Sequence, residues 1–182
     1  MTIDIICLSS HQVVAPLEDV ALAYGAIDTL PPGAGAGFAT MLSGQSEREG
    51  FCLYAALDSA NGPLIGFGYG FTGRPGQPWR DSLAAAMGDV ASEQWLNGYF
   101  EFAEFGVLPL WRRRGVGGRL HDCLLDHVPH RRAVLTVREG NRPARRFYER
   151  RGWLALYHDF FAPSGRGPYI VMGRELTGAR GA

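Results

Sequence analysis

The sequence contains no lysine: all 18 of its basic residues are arginine. That absence, with the lack of any Gly-x-x-x-x-Gly-Lys-Ser/Thr run, excludes a Walker-type phosphate loop. Cysteine is scarce as well. Cys7, Cys52 and Cys123 are scattered, odd in number and without metal-ligand spacing, which argues against a disulfide framework and for a reducing compartment. No apolar run approaches the roughly 18 residues that a membrane span needs. The start of the chain lacks a basic n-region, and Asp4 interrupts its apolar stretch, so it reads as a first strand and not a signal peptide. Together these absences predict a cytoplasmic protein with no membrane association.

At 182 residues the chain is expected to form a single domain, 1–182, with a substantial core. Its net charge of zero conceals an asymmetry. From Arg112 to Arg151 there are 12 arginines and four acids (Asp122, Asp126, Glu139, Glu149), a surplus of +8, and the remainder carries the balancing −8. An imbalance of this kind points to an anionic ligand or partner. The absence of lysine itself is read as composition bias, and most of the arginines as solvated faces.

Periodicity and breakers give a coarse order. Strand 3–8 is followed by helix 17–28, a Pro/Gly break over Leu30–Gly37, and helix 38–48. Strands 51–57 and 64–71 flank the turn Asp58–Gly62, and a helical patch at 80–94 lies within 72–97. Strand 98–107, helix 115–127, strand 132–137, helix 142–150 and strands 153–161 and 168–176 complete the chain, with a short polar tail at 177–182. The class is α+β, with crossover helices in the second half.

Two segments carry chemistry. In the first, a strand reaches Val107-Leu108-Pro109-Leu110-Trp111-Arg112-Arg113-Arg114-Gly115-Val116-Gly117-Gly118 and opens an amphipathic helix. The free N–H groups of a first helical turn, together with the helix dipole, make such a junction an anion site. Glycines at 115, 117 and 118 leave the backbone open to approach. In the second, Asn141 caps a helix with Pro143 in its first turn, and Gly152 closes it. Ala144, Phe147 and Tyr148 share a face, with Phe147 expected in the core and Tyr148 at the edge of that face.

Val-x-Pro-x-x-Arg-x-x-Gly-x-Gly (Val107 to Gly117) and Asn-x-x-Ala-x-x-Phe-Tyr-Glu-x-x-Gly-Trp (Asn141 to Trp153) together resemble the Gcn5-related N-acetyltransferases. The resemblance implies a central, mostly antiparallel seven-stranded sheet, splayed at strands 4 and 5 and flanked by helices. It also implies direct transfer of acetyl from acetyl-CoA to the amine of a small molecule, peptide or protein, without a metal. On this analogy Arg112, Arg113, Arg114, Gly115, Val116, Gly117 and Gly118 hold the pyrophosphate. Phe105, Val107 and Leu108 line the pantetheine arm, and Asn141 and Tyr148 form the far wall of the cofactor slot. Tyr148 matches the position of the acid that protonates the leaving thiolate. Glu101 and Glu104 are the candidate bases. Strict alternation puts Glu101 on the Val107 face and Glu104 opposite, and a bulge would reverse that parity.

The remaining candidates have plainer readings. His121 and His127 are expected on the exposed side of their helix, and His11, His130 and His158 lack metal partners. Cys123 reads as packed. Asp81, Asp89 and Glu93 read as a solvated face, and Trp79, Trp95 and Tyr24 as core or acceptor-pocket walls. Two rival functions are an arginine-rich nucleic-acid-binding module, for which no recognition pattern appears, and a CoA sensor without turnover. A longer acyl donor and a homodimer are also compatible with the sequence.

Overall fold

The computed structural model describes residues 3–9, 12, 17–27, 34–126 and 128–176. The described residues form a seven-stranded sheet of order β1-β2-β3-β4-β5-β7-β6, with six α-helices among them. The strands are β1 (Asp4–Leu8), β2 (Cys52–Leu57), β3 (Leu64–Thr72), β4 (Phe100–Val107), β5 (Arg132–Arg138), β6 (Leu154–Phe160) and β7 (Tyr169–Glu175). The helices are α1 (Leu17–Ile27), α2 (Ala34–Ser46), α3 (Pro78–Met87), α4 (Asp89–Trp95), α5 (Val116–Asp126) and α6 (Arg142–Glu149). The β1–β2, β2–β3, β5–β7 and β6–β7 pairs are antiparallel. β4 and β5 run parallel, which requires a crossover, and α5 supplies it. Among the described residues the β4–β5 register covers Phe100↔Ala133 and Glu101↔Val134.

The residues cluster into two compact units. The first comprises 1–71 and 103–128. In it α1 and α2 cover one side of β2 and β3, burying Val20, Phe38 and Leu42 against Leu53, Phe67, Tyr69 and Phe71. α5 covers the other side, where Val116 and Leu120 meet Ala56, Ile65 and Val107. The β2–β3 turn closes with Asp58 N donating to Pro63 O at 3.1 Å. A side chain at Gly62 would stand 2.8 Å from Ser59 N, so the tight turn demands glycine there. The second unit comprises 72–102 and 129–182. Its core joins Leu83, Trp95 and Leu96 of the α3–α4 segment to Val134, Phe160 and Val171 of the sheet.

Two helix boundaries differ from the sequence expectation. The second helix begins at Ala34, before the expected start at 38. Glycine inside a helix costs only about 1 kcal/mol, which burial of Phe38 and Leu42 on the core outweighs. The single patch at 80–94 is two helices. Pro78 opens α3, and Gly88, at φ +78°, separates it from α4.

Candidate functional site

The glycine turn lies in the first unit. Leu108 N donates to Ile65 O at 2.9 Å as β4 ends, and Pro109–Trp111 form a single 3-10 turn. Arg113 (φ +62°) and Gly115 (φ +83°) then turn the chain into α5. A Cβ on Gly115 would meet nothing of the protein within 4 Å, so the fold itself needs glycine there for its backbone angle. A non-glycine residue in the left-handed region, as at Arg113, is the kind of strain that collects at functional sites. The first bond closing α5 runs from Arg119 N to Gly115 O at 3.1 Å, so the N–H groups of Val116, Gly117 and Gly118 precede the helical ladder.

The three arginines of the turn are placed differently. Arg112 Nε donates to Val107 O at 3.0 Å, and its terminal nitrogen donates to Ile27 O at 2.6 Å. Its guanidinium therefore braces the end of β4 and caps the C-terminus of α1, whose last carbonyls lack helical partners. The Arg114 guanidinium lies over the Trp111 ring, 5.3 Å from its centroid. Arg113 is exposed. Of the apolar residues expected along the pantetheine arm, Val107 is buried and Phe105 and Leu108 are half-buried.

The second segment lies in the second unit. Asn141 Oδ1 accepts from Ala144 N at 3.2 Å, the expected N-cap. At the other end Gly152, at φ +80°, donates from its N to Glu149 O at 3.1 Å, and Trp153 N donates to Tyr148 O at 3.2 Å. This pair of bonds is the Schellman motif. It brings the Trp153 ring to 5.8 Å from that of Tyr148. Tyr148 also meets Phe102 at 6.1 Å and Phe147 at 5.3 Å, all edge-on. The expected burial of the helix face is corrected here. Tyr148 is the buried residue (8% exposed), while Phe147 is half-buried beneath the Arg151 guanidinium at 4.2 Å. The partners Phe102 and Trp153 draw Tyr148 inward, and periodicity within an eight-residue helix carries no information about them.

The outer face of α6 borders a groove lined by Glu139, Arg142, Arg145, Arg146 and Glu149. Arg145 pairs with Glu149 at 2.9 Å, so the groove carries both signs of charge where a phosphate-tracking surface would be uniformly positive.

Glu101 and Glu104 share β4 but not its regularity. Ala103 packs against the α1–α2 core, and Phe105, two residues on, against the α5 core. Residues two apart in a regular strand share a face, so the strand carries an extra residue between 103 and 105. The hydrogen bonds agree. Gly73 N donates to Tyr99 O and Leu108 N to Ile65 O, which takes eight steps along β3 and nine along β4. The alternation counted back from Val107 therefore fails, and Glu104 sits within the bulge. Glu101 is 6% exposed and accepts a hydrogen bond on Oε2 from Tyr99 OH at 2.9 Å; Glu104 is half-buried. Tyr99 was not a sequence candidate, although Tyr-x-Glu in a strand places both side chains on one face.

The histidine expectation is also corrected. His121 is fully buried, its Nδ1 2.8 Å from Asp122 Oδ1, because it falls beside Leu124 and Leu125 on the inward stripe of α5. His130 is buried, with Nε2 3.0 Å from Thr72 Oγ1, and His158 is exposed near Glu139. His11 and His127 lie outside the described residues. Burial pushes the Cys52 thiol up to about 12, with Cys7 as a lesser cause, and burial likewise raises Cys123. Among the described residues no group of three or more His, Cys, Asp or Glu is placed to hold a metal ion, and no helix is long and apolar enough to cross a membrane. Trp95 is core; Trp79 packs edge-on against Phe160 at 5.5 Å, and Tyr24 stacks on Phe38 at 3.9 Å. Asp81 accepts from Gly76 N through both oxygens, while Asp89 and Glu93 are exposed.

Residues 30–153, which include both segments, match the acetyltransferase (GNAT) family. The chain belongs to that family. Among similar proteins, a GCN5-like protein acetyltransferase of Mycobacterium tuberculosis is 27% identical over 132 residues. That match takes in 68% of this GNAT chain and spans 64% of the relative's length. Among solved structures, the ribosomal-protein-S18-alanine N-acetyltransferase of Escherichia coli superposes with a TM-score of 0.64 at 17% identity, covering 100% of this chain and 97% of that one. Arabidopsis thaliana NAA60 in complex with acetyl-CoA gives 0.66 at 18% identity, covering 97% and 100%. At these identities the likeness establishes the GNAT fold.

Proposed function

We propose that this GNAT protein transfers acetyl from acetyl-CoA directly to an amine of a peptide or protein, in a ternary complex without a covalent enzyme intermediate. The observation that carries this reading is the backbone of the turn. Arg113 and Gly115, both at positive φ, turn the chain into α5, whose first three N–H groups precede the helical ladder, a geometry suited to a pyrophosphate. Acetyl-CoA bound there supplies the activated acyl group. The β4 edge at Phe105, Val107 and Leu108 pairs with the pantetheine arm, a role supported by the end of the β4–β5 register at Glu101. Asn141 shapes its own wall by capping α6.

The chain's own residues then handle two protons. Glu101 takes one from the attacking amine as the N–C bond forms. Tyr148 gives one to the sulfur as the C–S bond breaks, so amide and free thiol leave and solvent resets both groups. The buried Glu101 carboxylate supports the first role better than the half-buried Glu104 does, since an ionisable group held out of water is a candidate for function. Similarity to the protein acetyltransferase of M. tuberculosis and the ribosomal-protein-S18-alanine N-acetyltransferase of E. coli supports a protein amine as acceptor. The three free cysteines support a cytoplasmic setting.

Thiol release from acetyl-CoA, measured with a peptide α-amine, a lysine-containing peptide, spermidine and an aminoglycoside, tests the reaction and ranks acceptors. Tyr148→Phe keeps the ring packing and should lower kcat about 100-fold while leaving acetyl-CoA affinity within a factor of about two. Full turnover in that variant would reduce Tyr148 to a packing residue.

A further inference from the structure

Tyr99 has a position built for it. Its ring is fully buried in the second unit's core beside Leu83 and Trp95, and it lies across Gly73. A Cβ at residue 73 would stand 2.1 Å from the ring and 2.6 Å from the hydroxyl oxygen, so the space the phenol occupies exists only because residue 73 has no side chain. Gly73 N donates to Tyr99 O at 3.0 Å and fixes the backbone on which the ring turns. From that seat the hydroxyl reaches Glu101 Oε2 at 2.9 Å, in a buried bond.

The chemistry of the glutamate gives this bond a purpose. The last torsion of a glutamate is broad and roughly two-fold, so packing alone sets the plane of its carboxylate poorly. A donor held rigidly on one oxygen fixes that plane, and a hydrogen bond to a charged acceptor is among the stronger kinds. It also offsets part of the cost of holding a carboxylate away from water.

We propose that Tyr99 is a positioning residue for this acetyltransferase: it engages Oε2 of Glu101 and so fixes the plane of the carboxylate that takes the amine proton. The inference rests on Glu101 serving as the base. The phenol itself exchanges no proton and touches neither substrate. Gly73 belongs to the same device, as the vacancy that seats the ring.

Tyr99→Phe removes one oxygen and keeps the buried ring. With the fastest amine from the panel above, kcat is expected to fall about 10- to 100-fold, with the acetyl-CoA KM within about twofold and a melting temperature a few degrees below the parent's, as for any lost buried hydrogen bond. Glu101→Gln should fall further, and adding Tyr99→Phe to it should cost nothing more. A Tyr99→Phe protein with parental kcat overturns the proposal. So does an equal further loss in the Glu101→Gln background, which would place the action of Tyr99 elsewhere. If Glu101→Gln itself keeps parental kcat, the assignment of the base fails first. Lack of turnover with every amine would overturn acetyl transfer altogether.

Discussion

Arg112 offers the sharpest test of how the turn works, because one side chain has two competing roles. As a phosphate ligand its guanidinium would matter only when CoA is bound. As a brace it matters always, since Nε holds Val107 O at 3.0 Å and the terminal nitrogen holds Ile27 O at 2.6 Å. Arg112→Met keeps the aliphatic stem and removes every side-chain donor. Hydrogen bonds to a charged partner are worth about 1.5–3 kcal/mol when buried. Arg112 is exposed, and solvent competes for both carbonyls. About 1 kcal/mol apiece is the fair discount, so the loss comes to about 2 kcal/mol. Part of it is the favourable interaction of a cation with the C-terminus of α1.

For a chain of this size each kcal/mol moves the melting temperature by about 2–4 °C, so the ligand-free variant should melt about 4–8 °C lower. Circular dichroism melts with and without CoA separate the roles. The brace predicts the drop without ligand and a CoA-induced rise similar to the parent's. It also predicts faster amide exchange at the end of α1. A variant that melts within about 1 °C of the parent but loses CoA affinity tenfold, most steeply at low salt, would refute the brace and restore Arg112 as a phosphate ligand.

Two further outcomes follow from backbone geometry and burial. Gly152→Ala should destabilise the protein by about 1 kcal/mol: the left-handed angle costs about 1–2 kcal/mol, a stiffer unfolded chain returns about half, and the new Cβ meets nothing within 4 Å. Denaturant unfolding measures it, and a neutral variant would contradict the Schellman account. The Cys52 thiol, raised by burial from 9.0 to about 12, sets a pH dependence. Below pH 9 both states keep the proton and its contribution is complete. Between pH 9 and 12 only the unfolded chain ionises, so stability falls by about 1.4 kcal/mol per pH unit. Urea midpoints at pH 8, 9 and 10 should show that slope easing in Cys52→Ala; an identical slope would place the thiol near its ordinary value.

Much of the architecture was readable because its signals are local. Pro143 and Asn141 start α6, Gly152 ends it, and the 58–62 turn separates β2 from β3 without help from distant residues. Gly88 was equally local, but a helical stretch on either side masked it. The failures were tertiary. The bulge between Ala103 and Phe105 appears only when α1–α2 and α5 claim successive odd residues of β4. The inward turn of Tyr148 depends on Phe102 and Trp153. His121 went inside because the buried stripe of α5 is wider than its two leading apolar positions, Val116 and Leu120, suggest.

These cases divide the chain's residues by what holds them. The recognisable positions mostly shape backbone: Arg112 braces a turn, Gly115 and Gly152 supply left-handed angles, and Asn141 caps a helix. Backbone shape is set by residue type at fixed spacing, so it survives as a pattern that sequence alone reveals. The groups proposed to move protons are held differently. Tyr148 is seated by Phe102 and Trp153, and Glu101 by Tyr99, whose own place depends on Gly73. Gly73 and Tyr99 lie far apart in the chain and outside both motifs. The proposed binding of the acyl donor therefore rests on motif residues. The proposed proton handling rests instead on packing partners that lie mostly outside the motifs.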